Sequence, residues 1–342
     1  MPVATPQQFQ AMLDAARTSS YAYPALNVTS SQTLNAALRG LAEAGSDGIV
    51  QITTGGAEFA SGDAIRSMAL GARAIAEFAH VVAERHPALV ALHTDHCTAE
   101  NLDRFVRPLL AESAARRSRG EPPLFNSHMF DGSQLPLGEN IRISADLLEE
   151  CAALDVVLEL EIGVVGGEED GIDAVGTPSE RLYTTAEDAL AVADALGTGE
   201  RGRYLLAATF GNVHGNYAPG RVQLRPALLG DLQEALAARH GLTARFDLVF
   251  HGGSGSSAGE IADAVRNGVV KMNIDTDAQY AYTRAVAAHM FEHYDRVLKL
   301  EGGAGDKQQY DPRAWGRKAE AEMARRVAEA CHELGSAGRS LA

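Results

Sequence analysis

Short runs of apolar, often β-branched residues recur along the chain, separated by Ala-, Leu- and Glu-rich stretches whose apolar positions fall at helical spacing. Runs apolar on both faces are what strands of a covered parallel sheet require, and alternation with helices supplies the cover. The pattern predicts strands over 22–28, 48–53, 89–93, 124–129, 156–162, 204–210, 248–251 and 269–274. It predicts helices over 31–44, 63–86, 98–118, 143–154, 185–196, 225–239 and 259–266, with 276–294 closing the series. Eight such units in one chain fit a closed barrel better than an open sheet. The expected fold is therefore α/β, a (β/α)8 TIM barrel.

Two regions depart from the repeating unit. Residues 163–179, GVVGGEEDGIDAVGTPS, are Gly-rich and acidic and too long for a tight turn, which reads as a lid over a site. Residues 302–342 hold a Gly-rich connector, the segment YDPRAWG and a helix expected over 317–334, with Asp311 and Pro312 suited to a helix start. No repeat and no linker divides the chain. Residues 1–342 are expected to form one domain, with 302–342 an extension packed on the barrel or on a partner subunit.

Composition narrows the function classes. Apolar residues are 46% and charged residues 22%, which excludes a disordered chain. The formal charge of -15 disfavours non-specific binding to nucleic acid or anionic lipid, although a local nest of N–H groups can still hold a phosphate. No stretch approaches a membrane span, and the N-terminus lacks a basic cluster feeding an apolar run. Three scattered cysteines, Cys97, Cys151 and Cys331, are not a disulfide framework. A cytoplasmic protein is expected.

Polar residues gather at the ends of the predicted strands: Asn27, Thr53, Asp95, His96, Glu161, His214, His251 and Asn273. Barrel enzymes place their chemistry on that rim. A catalytic zinc needs three converging imidazoles or carboxylates with one position left open, and a closed rim can bring His96, His214 and His251 together. The HxH spacing of barrel metallohydrolases is missing, since His93 and His96 are three apart. Glu159 and Glu161 share strand parity and point the same way, either into the barrel beside the metal or outward against helices. Asp95 precedes His96, a position for a proton shuttle or, alternatively, for a helix cap. HGGSGSS (251–257) and KMNIDTD (271–277) follow the last two strands, where barrel phosphate sites commonly form. Neither a P-loop nor a dinucleotide fingerprint is present. Lysine occurs only at 271, 299, 307 and 318. Lys271 raises a Schiff-base mechanism, yet that leaves the rim histidines unused, and a structural or substrate-ordering role suits it better.

Taken together, YPALNVTSSQTLNAAL (23–38), IVQITTGG (49–56), LHTDHC (92–97), NSHMFDGS (126–133), LELEIGVVGGEEDG (158–171), FGNVHGNY (210–217), FHGGSGS (250–256), KMNIDTD and DPRAWG resemble the class II, zinc-dependent fructose-bisphosphate aldolases in their actinobacterial form. The resemblance spans nearly the whole chain. It implies reversible cleavage of D-fructose 1,6-bisphosphate to dihydroxyacetone phosphate and D-glyceraldehyde 3-phosphate through a metal-stabilised enediolate. Related tagatose-bisphosphate aldolases share the metal site, so mechanism is implied more firmly than substrate stereochemistry. His96, His214 and His251 become the zinc ligands, with Glu161 at the position of a second metal in some members. Asp95 becomes the acid/base at the C4 hydroxyl, Glu169 the acid/base at C3, and Asn273 a contact to the enediolate. Gly215, Gly252, Ser254, Asp275 and Thr276 match the ketone-side phosphate site, where a monovalent cation (Na+ or K+) assists. Thr53 and Arg313 match the other phosphate site. In the family that arginine can cross a subunit interface, implying a homodimer or homotetramer.

Overall fold

The computed structural model describes residues 3–165, 182–212, 223–253, 255–298 and 305–342, together with the backbone of 168–169 and 172–173. Its strands in chain order are β1 (Tyr23–Asn27), β2 (Gly48–Thr53), β3 (Val90–Thr98), β4 (Ser127–Asp131), β5 (Val157–Ile162), β6 (Glu168–Glu169), β7 (Ile172–Asp173), β8 (Tyr204–Ala208), β9 (Asp247–Phe250) and β10 (Val269–Ile274). Strands β6 and β7 form a small antiparallel ribbon. The other eight pair in parallel and close into a barrel, β1 meeting β10 on one side and β2 on the other. The expected (β/α)8 architecture is present.

The helices are α1 (Pro6–Ser19), α2 (Ser31–Ala44), α3 (Thr54–Ala60), α4 (Met68–Ala83), α5 (Val106–Ser118), α6 (Leu137–Ala152) and α7 (Ala186–Leu196), then α8 (Ala227–His240), α9 (Ala258–Arg266) and α10 (Thr276–Glu292). Two short helices, α11 (Tyr294–Val297) and α12 (Lys307–Tyr310), lead into the long α13 (Pro312–Glu333).

Several boundaries differ from the sequence pattern for identifiable reasons. The helix expected over 63–86 is α4 alone and starts only at Met68, because Arg66 takes a left-handed backbone (φ 49°) just before it, while α3, capped by Thr53 directly at the end of β2, is a further helix outside the expected set. The helix expected from 98 starts only at Val106, after a single 3-10 turn at Ala99–Asn101. Helix α13 begins at Pro312 rather than 317, with Asp311 accepting from the Arg313 N–H as its cap. Helix α1 has no counterpart in the pattern of strand–helix units. Thr5 and Gln8 form its capping box, and Pro6 opens it.

Two apolar layers result. The outer one lies between strands and surrounding helices. The inner one fills the N-terminal half of the barrel, where Phe9, Met12, Leu13 and Ala16 of α1 pack against Tyr23, Ala25, Ile49, Ala91, Val157 and Leu205. Spacing of three and four residues puts those α1 side chains on one face. Above this plug the barrel interior is polar. Outside, α13 packs along α2 and α10. Gly40 of α2 lets α13 approach, since a Cβ there would lie 2.5 Å from the Ala324 carbonyl oxygen and from Val327 Cβ. Among the described residues no helix is long and apolar enough to cross a membrane.

Candidate functional site

Strand β3 runs five residues past its expected end, and its pairing with β4 shifts register between Thr94 and Cys97. His96 sits in that shift with φ 42°, a left-handed value that non-glycine residues seldom adopt. In a regular strand Asp95 and His96 would point to opposite faces. The bulge turns both into the barrel. A strained backbone of this kind costs on the order of 1–3 kcal/mol and persists where surrounding contacts hold it.

Asp95 is fully buried and is gripped by amides. Its Oδ2 accepts from Asn27 Nδ2 at 3.0 Å and Gln51 Nε2 at 2.9 Å, and its Oδ1 accepts from Asn273 Nδ2 at 3.1 Å. Burial alone would raise its pKa, but the charges of His96, Lys271, His251 and His93 outweigh that and hold it below the ordinary aspartate value. Asp95 therefore lies inside β3 with its oxygens on side-chain amides, not on the backbone of a helix start. Asn27 was visible as a strand-end polar residue. Gln51 was not, although its alternation with Thr53 on β2 marks it as inward-facing.

Glu159 and Glu161 both face inward, resolving the parity argument. His251 lies between them, with Nε2 2.9 Å from Glu159 Oε1 and Nδ1 3.1 Å from Glu161 Oε2. Burial pushes the His251 pKa down, but Glu161 and Glu159 raise it to about 9. The rings of His96 and His251 stand 4.9 Å apart. His96 Nδ1 lies 3.1 Å from Asp131 Oδ2 and 3.8 Å from Glu161 Oε2. Asp131 escaped notice in the sequence, although in SHMFD it shares parity with Ser127 and Met129. Its carboxyl is held well below the usual range, because burial is outweighed by His96 and by donors from Ser133.

Ligand atoms of Asp95, His96 and His251 lie within 4.8 Å of one another, as do those of His96, Asp131 and Glu161 and those of His93, Asp95 and Glu159. Imidazole nitrogen and carboxylate oxygen are donors zinc accepts, so this buried set fits a divalent metal. Lys271 is fully buried and paired with Glu159 Oε2 at 2.9 Å, which leaves it no open path to a carbonyl substrate.

Of the remaining expected site residues, Thr53, Gly252, Asp275 and Thr276 lie at or just after strand ends. Thr53 ends β2, buried, with its hydroxyl accepting from the Gly56 N–H. Gly252 follows β9 with φ 61°, a conformation glycine takes without strain. Asp275 and Thr276 stand at the start of α10, directly after the neighbouring strand β10. Arg313, in the first turn of α13, is 77% exposed and bound to Asp311 at 2.6 Å. His214, Gly215 and Ser254 lie outside the described residues. Glu169 is described only by its backbone in the β6–β7 ribbon.

Three comparisons bear on this geometry. Residues 7–339 match the family model described as fructose-bisphosphate aldolase class-II. The chain is 59% identical over 341 residues to a fructose-bisphosphate aldolase of Streptomyces galbus, covering 100% of both. It is 57% identical over 344 residues to one of Mycobacterium tuberculosis, covering 100% of this chain and 99% of the relative. The crystal structure of a fructose-bisphosphate aldolase from Campylobacter jejuni superposes with a TM-score of 0.87 at 34% identity, covering 99% of this chain and 97% of that one.

Proposed function

The chain belongs to the class II fructose-bisphosphate aldolases, and from that premise we propose that it cleaves and re-forms D-fructose 1,6-bisphosphate with zinc as its metal. The observation that carries this reading is the convergence of Asp95 and His96 of β3 with His251, which follows β9 far away in sequence, on one buried point. His96, His214 and His251 would hold the ion, which when bound supplies Lewis-acid polarisation of the substrate carbonyl.

The protein's own groups divide the proton work. Asp95, kept ionised by its cationic surroundings and amide donors, takes the proton from the C4 hydroxyl. The O–H electrons become the new carbonyl at C4, the C3–C4 bond breaks, and glyceraldehyde 3-phosphate leaves. Charge then develops on the C2–C3 half, towards which Asn273 offers an N–H. Glu169 delivers a proton to C3, completing dihydroxyacetone phosphate. The Gly-rich segment around Glu169 closes over the site and limits water during this step.

Anchoring uses both phosphates. Gly215, Gly252, Ser254, Asp275 and Thr276 take the ketone-side group, with a monovalent cation beside it. Thr53 and Arg313 take the other. Two anchors spend binding energy on orienting the bond that breaks. Arg313 is strongly exposed on its own chain, and α10, α11 and the residue after α11 present exposed Tyr280, Phe291, Tyr294 and Leu298. Both features support self-association, with Arg313 serving a neighbouring subunit.

Metal content measured alongside aldol cleavage, before and after chelation, tests the reading. Activity is expected to vanish with the metal and to return with added zinc. Full turnover in metal-free protein overturns the zinc requirement. A strong preference for tagatose 1,6-bisphosphate, the C4 epimer, overturns the substrate.

A further inference from the structure

A side-chain amide is useful only if the correct end faces its target. Asn273 carries one acceptor oxygen and one NH2 donor, and a half-turn would exchange them. The neighbour that selects between the two is Lys271. Strand β10 places these residues two apart, so both point into the barrel. Lys271 Nζ is a donor with no acceptor capacity and lies 2.7 Å from Asn273 Oδ1. The reversed amide would set NH2 against ammonium, donor against donor. With the oxygen held by Lys271, Nδ2 is left to face Asp95 Oδ1 at 3.1 Å.

The ammonium is itself fixed. Glu159 accepts a hydrogen bond from it at 3.1 Å through Oε1 and forms an ion pair with it at 2.9 Å through Oε2, and both side chains are fully buried. Glu159 projects from β5, across the barrel from β10, and is pinned in turn by His251. The chain of contacts Glu159–Lys271–Asn273–Asp95 therefore runs from the middle of the barrel up to the rim. Lys271 lies one layer below Asn273, away from the open end.

We propose that Lys271 is a positioning residue, which locks the Asn273 amide one way round and so keeps an N–H aimed at Asp95 and at the substrate oxygens beside it. The proposal rests on the reading above, in which Asp95 and Asn273 face the substrate.

A double-mutant cycle tests it: kcat and KM for bisphosphate cleavage, with zinc content, in wild type, Lys271→Met, Asn273→Ala and the combined variant. Lys271→Met is expected to lower kcat by about 100-fold, the scale of a misplaced catalytic contact, with KM and zinc content little changed. In the Asn273→Ala background the same substitution is expected to cost nothing further, because the group it orients is gone. Multiplying losses, or a wild-type rate in Lys271→Met, overturn the proposal. Lys271→Met strands the Glu159 charge, so if that variant does not fold, the cycle is run with Lys271→Met and Glu159→Gln together, removing both charges. Failure of that pair to fold also overturns it, by making the lysine a structural member. A wild-type protein that leaves the bisphosphate uncleaved sinks the functional reading itself, whereas multiplying losses in an active enzyme sink only the positioning role.

Discussion

Asp95 Oδ1 and Asn273 Nδ2 lie 3.1 Å apart although 178 residues of chain separate them. Only closure of the barrel, through β1 between β2 and β10, brings the two together. With Asn27 and Gln51 completing the set of amides, Asp95 is held by contacts that do not require a metal. Asp95→Ala is therefore expected to retain zinc and to lose about 10²–10⁴-fold in kcat, the usual worth of a positioned acid/base. Loss of zinc from the variant, read by elemental analysis, would recast Asp95 as a ligand or a structural group.

Glu169 has a separable task. Glu169→Ala is expected to bind substrate but to exchange the C3 proton of dihydroxyacetone phosphate slowly, by a similar factor. Proton exchange in deuterated water, followed by NMR, measures this directly. Exchange at the wild-type rate would remove Glu169 from the mechanism.

Buried neutral histidines make the fold acid-sensitive. Burial and, secondarily, His93 push His128 from 6.5 down to about 3. Between those values the unfolded chain binds a proton that the folded chain does not, so stability falls as pH falls through that window and is fully present above it. The slope reaches at most about 1.4 kcal/mol per pH unit per site. His128→Gln is expected to flatten the fall of urea-unfolding free energy between pH 6.5 and 3. Parallel curves for variant and wild type would show that His128 does not carry it.

The contact of α2 with α13 predicts a stability defect. Gly40→Ala places a methyl against the Ala324 carbonyl oxygen, which is backbone and cannot rotate away. A loss of about 1–3 kcal/mol is expected from such overpacking, read as a lower urea midpoint at unchanged slope. An unaltered midpoint would mean that α13 shifts at no cost.

Self-association predicts complementation. If Arg313 serves a neighbouring subunit, refolded mixtures of inactive Arg313→Ala and inactive Asp95→Ala chains should recover activity, because some mixed sites hold both intact residues. Phe291, 85% exposed, is a candidate interface side chain. Phe291→Glu is expected to lower the assembly size in sedimentation velocity; unchanged size would exclude Phe291 from the contact.

The barrel was legible because short apolar, β-branched segments alternate with helical spacing, and strand ends pointed to Asp95, His96, His251 and Asn273. What escaped was local backbone geometry. The bulge at His96 leaves no mark in residue type, so Asp95 and His96 read as diverging neighbours although the structure turns both inward. Asp131 and Gln51 were hidden for another reason: their value depends on partners in adjacent strands, which periodicity does not name. The late start of α4 depends on a left-handed Arg66, a residue type that gives no hint of a turn. For α13, the Asp311–Pro312 signal was the better guide to its start than the apolar spacing further on.

Helix α1, with Phe9, Met12, Leu13 and Ala16 driven into the N-terminal mouth, makes the barrel a blind shaft. Among the described residues, the opposite rim is then the end of the barrel left for ion, substrate and proton. With the other end plugged, Asp95, Glu159 and Glu161, all buried, have that rim as their side towards bulk water, and a molecule bound there stands between them and the solvent.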